Sequence, residues 1–249
     1  LIKKLQKLIN ITHEKVVIMS IKENIVSIKK NIEDIEKKCN RQDKVNLMAV
    51  TKTVDVDKVL EAIDAGITDI GENKPQELAR KYEAIGDKVR YHLIGTLQTN
   101  KVKYIIDKAY MIHSLDRIAL CEEIQKRAEK IDKVINCLVQ VNISKEESKH
   151  GLEEEEVIDF IKEVSSNCKN IHIKGLMTMA PFIDDEQKIR QVFKDLKDLS
   201  LEVKKLNLSN VDMDTLSMGM SHDYKIAIEE GSTIVRVGTS IFGERNYNK

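Results

Sequence analysis

The sequence predicts a single (β/α)8 TIM barrel, an α/β fold, and three observations carry that prediction. Eight short apolar runs of strand length alternate one for one with helical segments. Strict alternation of this kind builds a parallel sheet, and eight repeats in 249 residues suit a closed barrel better than an open doubly wound sheet. The glycine signature G-x-G-x-x-G is missing at the first strand, which weakens the open-sheet alternative.

Each element has its own local reason. Ser20-x-x-Glu23 is a capping box, and Ile21, Ile25, Ile28, Ile32 and Ile35 recur by threes and fours on one helical face. Lys37 and Lys38 suit the end of that helix. The strand candidates are then 45–50, 67–71, 91–95, 110–114, 134–143, 171–179, 214–219 and 233–238. Helices are expected over 56–66, with Gly66 as the stop, and over 73–85, with Pro75 in the first turn. Further helices are expected over 97–106, 115–131, 153–166 and 222–231, with a long one opening at Asp184.

Composition excludes several classes. Hydrophobic residues make up 41% and charged residues 33%, as in an ordinary globular protein. Lys+Arg and Asp+Glu both number 41, which gives no support to nucleic-acid binding. Cys39, Cys121, Cys137 and Cys168 lack metal-ligand or disulfide-framework spacing, so reduced, mostly buried thiols in a cytoplasmic protein are expected. No apolar run reaches the roughly 18 residues of a membrane span. Residues 1–19 read as a peripheral N-terminal extension and 20–249 as the barrel.

The chemistry of such a barrel sits where its strands end. Lys52 follows the first strand and Asn73 the second; Ser217 ends the seventh, and Ser221 follows it. Arg236, Gly238 and Thr239 close the eighth. Loops after strands seven and eight frequently bind phosphate, which suits Ser221, Gly238 and Thr239, although either hydroxyl alone reads equally well as a helix cap. A lysine at a buried strand end can act as a nucleophilic amine, although Lys52 alone, in a lysine-rich chain, reads as solvated. A buried Arg236 demands acceptors. Together these groups describe a phosphorylated carbonyl compound held as a Schiff base, and pyridoxal phosphate fits, with Arg236 donating to its pyridine nitrogen. His92 reads as a core residue and His113 as a residue of the mouth, with no second histidine at metal spacing. Met177, Met179, Met218 and Met220 read as packing around the pocket, and Glu153–Glu156 as a dipole-matched helix start.

The segments AVTKT (49–53), GENKPQE (71–77), YHLIGTLQTNK (91–101), VNISKEESKHG (142–151), GLMTM (175–179), LSMGMSHDY (216–224) and VRVGTSIFGER (235–245) resemble the pyridoxal phosphate homeostasis protein family. That family's single barrel is similar to the N-terminal domain of alanine racemase. The resemblance spans residues 20–249. It implies bound pyridoxal 5'-phosphate with Lys52 as the Schiff-base lysine, phosphate contacts from Ser221, Gly238 and Thr239, and Arg236 at the ring nitrogen. Asn73 and Ser217 are implied as further pocket residues. The implied role is vitamin B6 balance: a cytoplasmic monomer that buffers the cofactor or delivers it to pyridoxal phosphate-dependent apo-enzymes, with effects on amino-acid metabolism and without turnover of its own. No metal, nucleic acid or membrane partner is implied.

Arginine stays protonated, so it leaves the pyridine nitrogen unprotonated and the ring a poorer electron sink. That argues against aminotransferase-like chemistry. Alanine racemase shares such an arginine, so an amino-acid racemase is the alternative. That enzyme also needs a β-rich C-terminal domain and a tyrosine from a neighbouring subunit, and neither is expected here: the sequence reaches Lys249 directly after the barrel, and Tyr224 and Tyr247 match no racemase motif. A third reading is a Schiff-base aldolase acting on a sugar phosphate.

Overall fold

The structure, a computed structural model, describes residues 19–145 and 150–244. The extension expected over residues 1–19 therefore lies outside the described residues, apart from Met19.

Helix α1 (Ile21–Lys38) opens on the expected capping box: the Ser20 hydroxyl accepts from the Glu23 N–H, and the Glu23 carboxylate accepts from the Ser20 N–H at 2.8 Å. The helix buries Ile25, Ile28 and Ile32. Its Asn24 and Asn31 side chains donate to the Ile241 carbonyl and the Tyr224 hydroxyl, which ties the first helix to the last segments of the described chain.

Eight parallel strands then close into a barrel in sequence order. They are β1 (Asn46–Val50), β2 (Asp69–Glu72), β3 (Arg90–Leu93), β4 (Met111–Leu115), β5 (Ile135–Gln140), β6 (Ile171–Met177), β7 (Val211–Met220) and β8 (Ile234–Val237). β8 pairs with β1, setting Arg236 beside Met48. The outer helices are α2 (Val56–Asp64), α3 (Pro75–Ile85), α4 (Ile118–Lys130), α5 (Val157–Asn167), α6 (Glu186–Lys204), α7 (Tyr224–Glu229) and the single turn α8 (Thr239–Phe242).

The helix expected over 97–106 is a 3-10 segment, Thr99–Tyr104, instead. Val102 is its buried residue, and the buried Ile105 and Ile106 follow in the turn after it. The long helix is capped by Asp185 rather than Asp184: the Asp185 carboxylate accepts from the Gln187 and Lys188 N–H groups. Ser221 does not open the helix after β7, because α7 begins only at Tyr224.

Strand alternation separates two apolar regions. The large one lies between sheet and helices and includes Ala49, Ile70, Leu93, Val139 and Val235. Residues of opposite parity face the lumen, where Met111, Leu138 and Met177 form a small cluster. Polar residues fill much of the remaining lumen, and they lead upward to the site.

Cys121, Cys137 and Cys168 are buried, whereas Cys39 is half-buried, as the composition suggested. Burial pushes the Cys121 and Cys137 thiols far above their ordinary range. In the native protein Cys39 should react with a thiol reagent such as DTNB while the other three stay silent until denaturant is added. Rapid native labelling of two or more thiols would contradict this packing.

Candidate functional site

The C-terminal ends of the strands surround a cavity of about 500 Å³. Lys52, Asn73, Ser221, Arg236, Gly238 and Thr239, six of the residues singled out in the sequence, all line it. Ser217 does not: it is fully buried one layer lower, beneath Arg236. Val50, Ile94, Met177, Met179, Met220, Phe182 and His222 complete the wall. Met218 faces the outer core, because strand alternation turns it away from the lumen. Phe182 and His222 were not among the sequence candidates. Phe182 is 86% exposed and meets the His222 ring edge to face at 4.8 Å, so a loop aromatic at the rim was visible only once β6 and β7 were neighbours.

Lys52 sits in the turn after β1 and has no hydrogen-bond or ion-pair partner among the described residues. Its flanks are pinned from behind. The Lys81 ammonium, fully buried on α3, donates to the Thr51 carbonyl at 2.6 Å and pairs with Glu72 and Glu77. Glu72 also accepts from the Thr51 hydroxyl, and Glu77 accepts from the Thr53 N–H at 2.9 Å. Thr53 has φ 60°, a left-handed conformation costly for a β-branched residue, which the Glu77 bond helps to hold. Burial pushes the Glu72 carboxyl above its usual range, against the opposing pull of Lys81 and Thr51.

At the opposite rim the N–H groups of Gly238 and Ser240 converge on the Ser221 hydroxyl, at 3.3 and 3.4 Å. Gly238 has φ −121°, outside the left-handed region, so backbone conformation does not demand the glycine there.

Arg236 forms the floor. Nη1 donates to the Ser217 carbonyl at 2.6 Å and the Ser217 hydroxyl at 2.7 Å, and Nη2 donates to the Thr178 carbonyl at 2.8 Å. The buried charge that the sequence posed as a problem is thus met by neutral oxygens. Burial pushes the guanidinium down to about 10, with Asp223 pulling the other way, so it stays protonated at neutral pH. His113, expected at the mouth, is buried in the lumen, where it bonds Ser217 and His92. It lies within β4 at a lumen-facing position, below the strand end.

Several groups therefore fit pyridoxal phosphate: an unpartnered primary amine, a cluster of N–H and O–H donors suited to a phosphate, and a protonated guanidinium between apolar walls.

Comparison with known proteins agrees. Residues 24–246 match the family described as alanine racemase, N-terminal domain. The pyridoxal phosphate homeostasis protein of Aquifex aeolicus is 43% identical over 216 residues, covering 85% of this chain and 93% of that protein. The structure of Synechococcus elongatus PipY with pyridoxal phosphate bound is 28% identical, with a TM-score of 0.78, covering 90% of this chain and all of that one. An alanine racemase of Clostridium difficile shares the fold alone, at 13% identity and a TM-score of 0.67, with 57% of its length covered.

Proposed function

The chain belongs to the pyridoxal phosphate homeostasis proteins, built on the alanine racemase N-terminal domain fold, and from that premise we propose that it binds pyridoxal 5'-phosphate in this cavity and buffers or delivers it. The observation that carries the reading is the pairing, across one cavity, of an unpartnered Lys52 amine with the Ser221 hydroxyl, on which the Gly238 and Ser240 N–H groups converge. When bound, the cofactor supplies an aldehyde open to attack by a primary amine, and an electron-withdrawing ring.

The chain's own residues have distinct tasks. Lys52 offers the amine from a turn already fixed on both sides. Ser221, Gly238, Thr239 and Ser240 hold the phosphate. Arg236 donates a hydrogen bond to the ring nitrogen and keeps its own proton. Asn73 and the methionines pack the ring, while Ser217 acts indirectly by holding Arg236. An arginine that does not surrender its proton leaves the ring a weak sink, which supports holding over turnover. The recipients are pyridoxal phosphate-dependent apo-enzymes, the protein acts as a monomer in the cytoplasm, and residues 20–249 form its barrel domain.

Absorption spectra with pyridoxal phosphate, before and after borohydride, test the site. A visible band that bleaches, with the reduced adduct mapped to Lys52, is expected. An adduct scattered over surface lysines, or no band, would defeat it. The shared racemase fold favours one rival, an amino-acid racemase, which would exchange an α-hydrogen with deuterated solvent; no such exchange above background is expected.

A further inference from the structure

Beneath the cavity a continuous line of buried polar groups crosses the barrel lumen. The Arg236 guanidinium donates to the Ser217 hydroxyl. Ser217 Oγ lies 3.0 Å from His113 Nδ1, and His113 Nε2 lies 2.9 Å from His92 Nδ1. His92 Nε2 lies 2.8 Å from Asp69 Oδ1. Asp69 Oδ2, at the other end of the barrel, accepts from Thr68 and from the half-exposed Arg90. The line links β8, β7, β4, β3 and β2, and the step from Ser217 to His113 spans the lumen between strands that are not neighbours.

Chemistry allows one proton arrangement. Burial pushes the Asp69 carboxyl up, but the bonds from His92, Arg90 and Thr68 outweigh it and hold the carboxyl well below the usual range. Asp69 is therefore an anion that only accepts. Burial pushes His92 below its ordinary value despite Asp69, and burial, then His92 and Arg236, pushes His113 further down. Both rings are neutral, each with one donor and one acceptor nitrogen. His92 must donate from Nε2 to Asp69, so its Nδ1 accepts from His113 Nε2–H. His113 Nδ1 then accepts from the Ser217 hydroxyl, whose remaining lone pairs face Arg236. Every proton in the line points from Arg236 towards Asp69.

We propose that Asp69, His92, His113 and Ser217 are positioning residues that act as one unit: the anion at the far end of the barrel fixes both imidazole tautomers and the serine rotor, and so holds Arg236 as a donor beneath the cavity. A neutral end group would let the line reverse. Ser217 would then receive protons from both sides, and its own hydroxyl hydrogen would lose its acceptor. The role of Arg236 towards pyridoxal phosphate rests on the function proposed above; the polarity of the line does not.

Histidine tautomers read by long-range ¹H–¹⁵N NMR in the cofactor-free protein test the polarity directly, with His92→Gln and His113→Gln assigning the signals. Both rings should be neutral Nε2–H tautomers at pH 7, close to where an ordinary histidine titrates. In Asp69→Asn, whose amide can present an N–H to His92, both rings should switch together to the Nδ1–H form. Ser217→Ala cuts the line next to Arg236. It should leave both tautomers unchanged, move the absorption maximum of bound pyridoxal phosphate, and raise its Kd about 3–10-fold, the worth of one hydrogen bond. Either ring in the Nδ1–H form, or charged at pH 7, in the wild-type protein would overturn the proposal. So would an Asp69→Asn protein in which His92 switches without His113, or a Ser217→Ala protein with unchanged spectrum and affinity. Should Asp69→Asn not fold, the wild-type tautomers and Ser217→Ala decide alone. Correct tautomers in a wild-type protein without affinity for pyridoxal phosphate would support the polarity and defeat the cofactor reading.

Discussion

Lys81→Met should lower the stability of the protein by about 3–5 kcal/mol at pH 8, the cost of removing one partner from a buried ion pair. Lys81 and Glu72 are both fully buried, and Lys81 also holds the Thr51 carbonyl and Glu77. Glu72 Oε2 already has no hydrogen-bond partner, so the carboxylate has little to fall back on when the ammonium goes. Methionine keeps most of the volume and removes the charge, which isolates the electrostatic loss from a cavity effect. The deficit should also depend on pH with a definite sign. Burial already raises the Glu72 pKa in the folded protein, and loss of Lys81 raises it further. The folded variant then binds a proton that the unfolded chain releases above about pH 4.3, so stability falls as pH rises through that window. The deficit should shrink as pH is lowered towards 5, and Lys81→Met/Glu72→Gln should recover much of it. Urea unfolding of the four proteins of this cycle gives the numbers. A deficit below 1 kcal/mol, or one that does not vary between pH 5 and 8, would show that the pair is not the buried contact described here.

That network also marks a limit of what the sequence revealed. Lys81 stands on the apolar stripe of its helix, three residues after Leu78 and four before Ile85, so a signal existed. In a chain with 41 basic residues, one lysine on the wrong face reads as a solvated side chain at a stripe's edge. Only the partner could have decided it, and Glu72 lies on another element. The lumen line had the same character. Asp69, His92 and His113 each interrupt a short apolar run, and strand alternation puts each on the inner face. Which of them touch depends on how the barrel closes and on the register between neighbouring strands, neither of which composition or period encodes. The barrel itself was legible because it rests on local signals repeated eight times. Arg236 was legible as a charge in a run too apolar to leave it in water, and the acceptors that satisfy it, Thr178 just after β6 and Ser217 on β7, come from two other parts of the chain.

Lys52→Ala should remove the borohydride-stable attachment of pyridoxal phosphate completely and leave the cofactor-free protein almost unchanged. These two effects separate because the Lys52 side chain has no partner among the described residues, so its loss breaks no contact. Substitutions free of buried contacts usually stay within about 0.5 kcal/mol, and the melting temperature without cofactor should follow that rule. With cofactor the proteins diverge. A ligand that binds only the folded state adds RT ln(1 + [L]/Kd), about 2.7 kcal/mol at a hundredfold excess over Kd. Wild-type protein should gain this stabilisation. The variant keeps the donors of Ser221, Gly238 and Ser240 and the guanidinium of Arg236, so it should bind the phosphate and ring reversibly, at a Kd at least about 10-fold higher, equivalent to 1.4 kcal/mol. Differential scanning fluorimetry across a pyridoxal phosphate titration, with a parallel titration of pyridoxal lacking the phosphate, separates the contributions. Wild-type protein should respond to both ligands, and more strongly to the phosphate ester, whereas Lys52→Ala should respond to the ester alone, weakly. If Lys52→Ala gains as much as wild-type protein, the amine plays no part in retention, and the cavity is a phosphate-and-ring site whose covalent partner lies elsewhere. If the cofactor-free variant melts far below the wild type, Lys52 has a structural contact that the turn after β1 does not display.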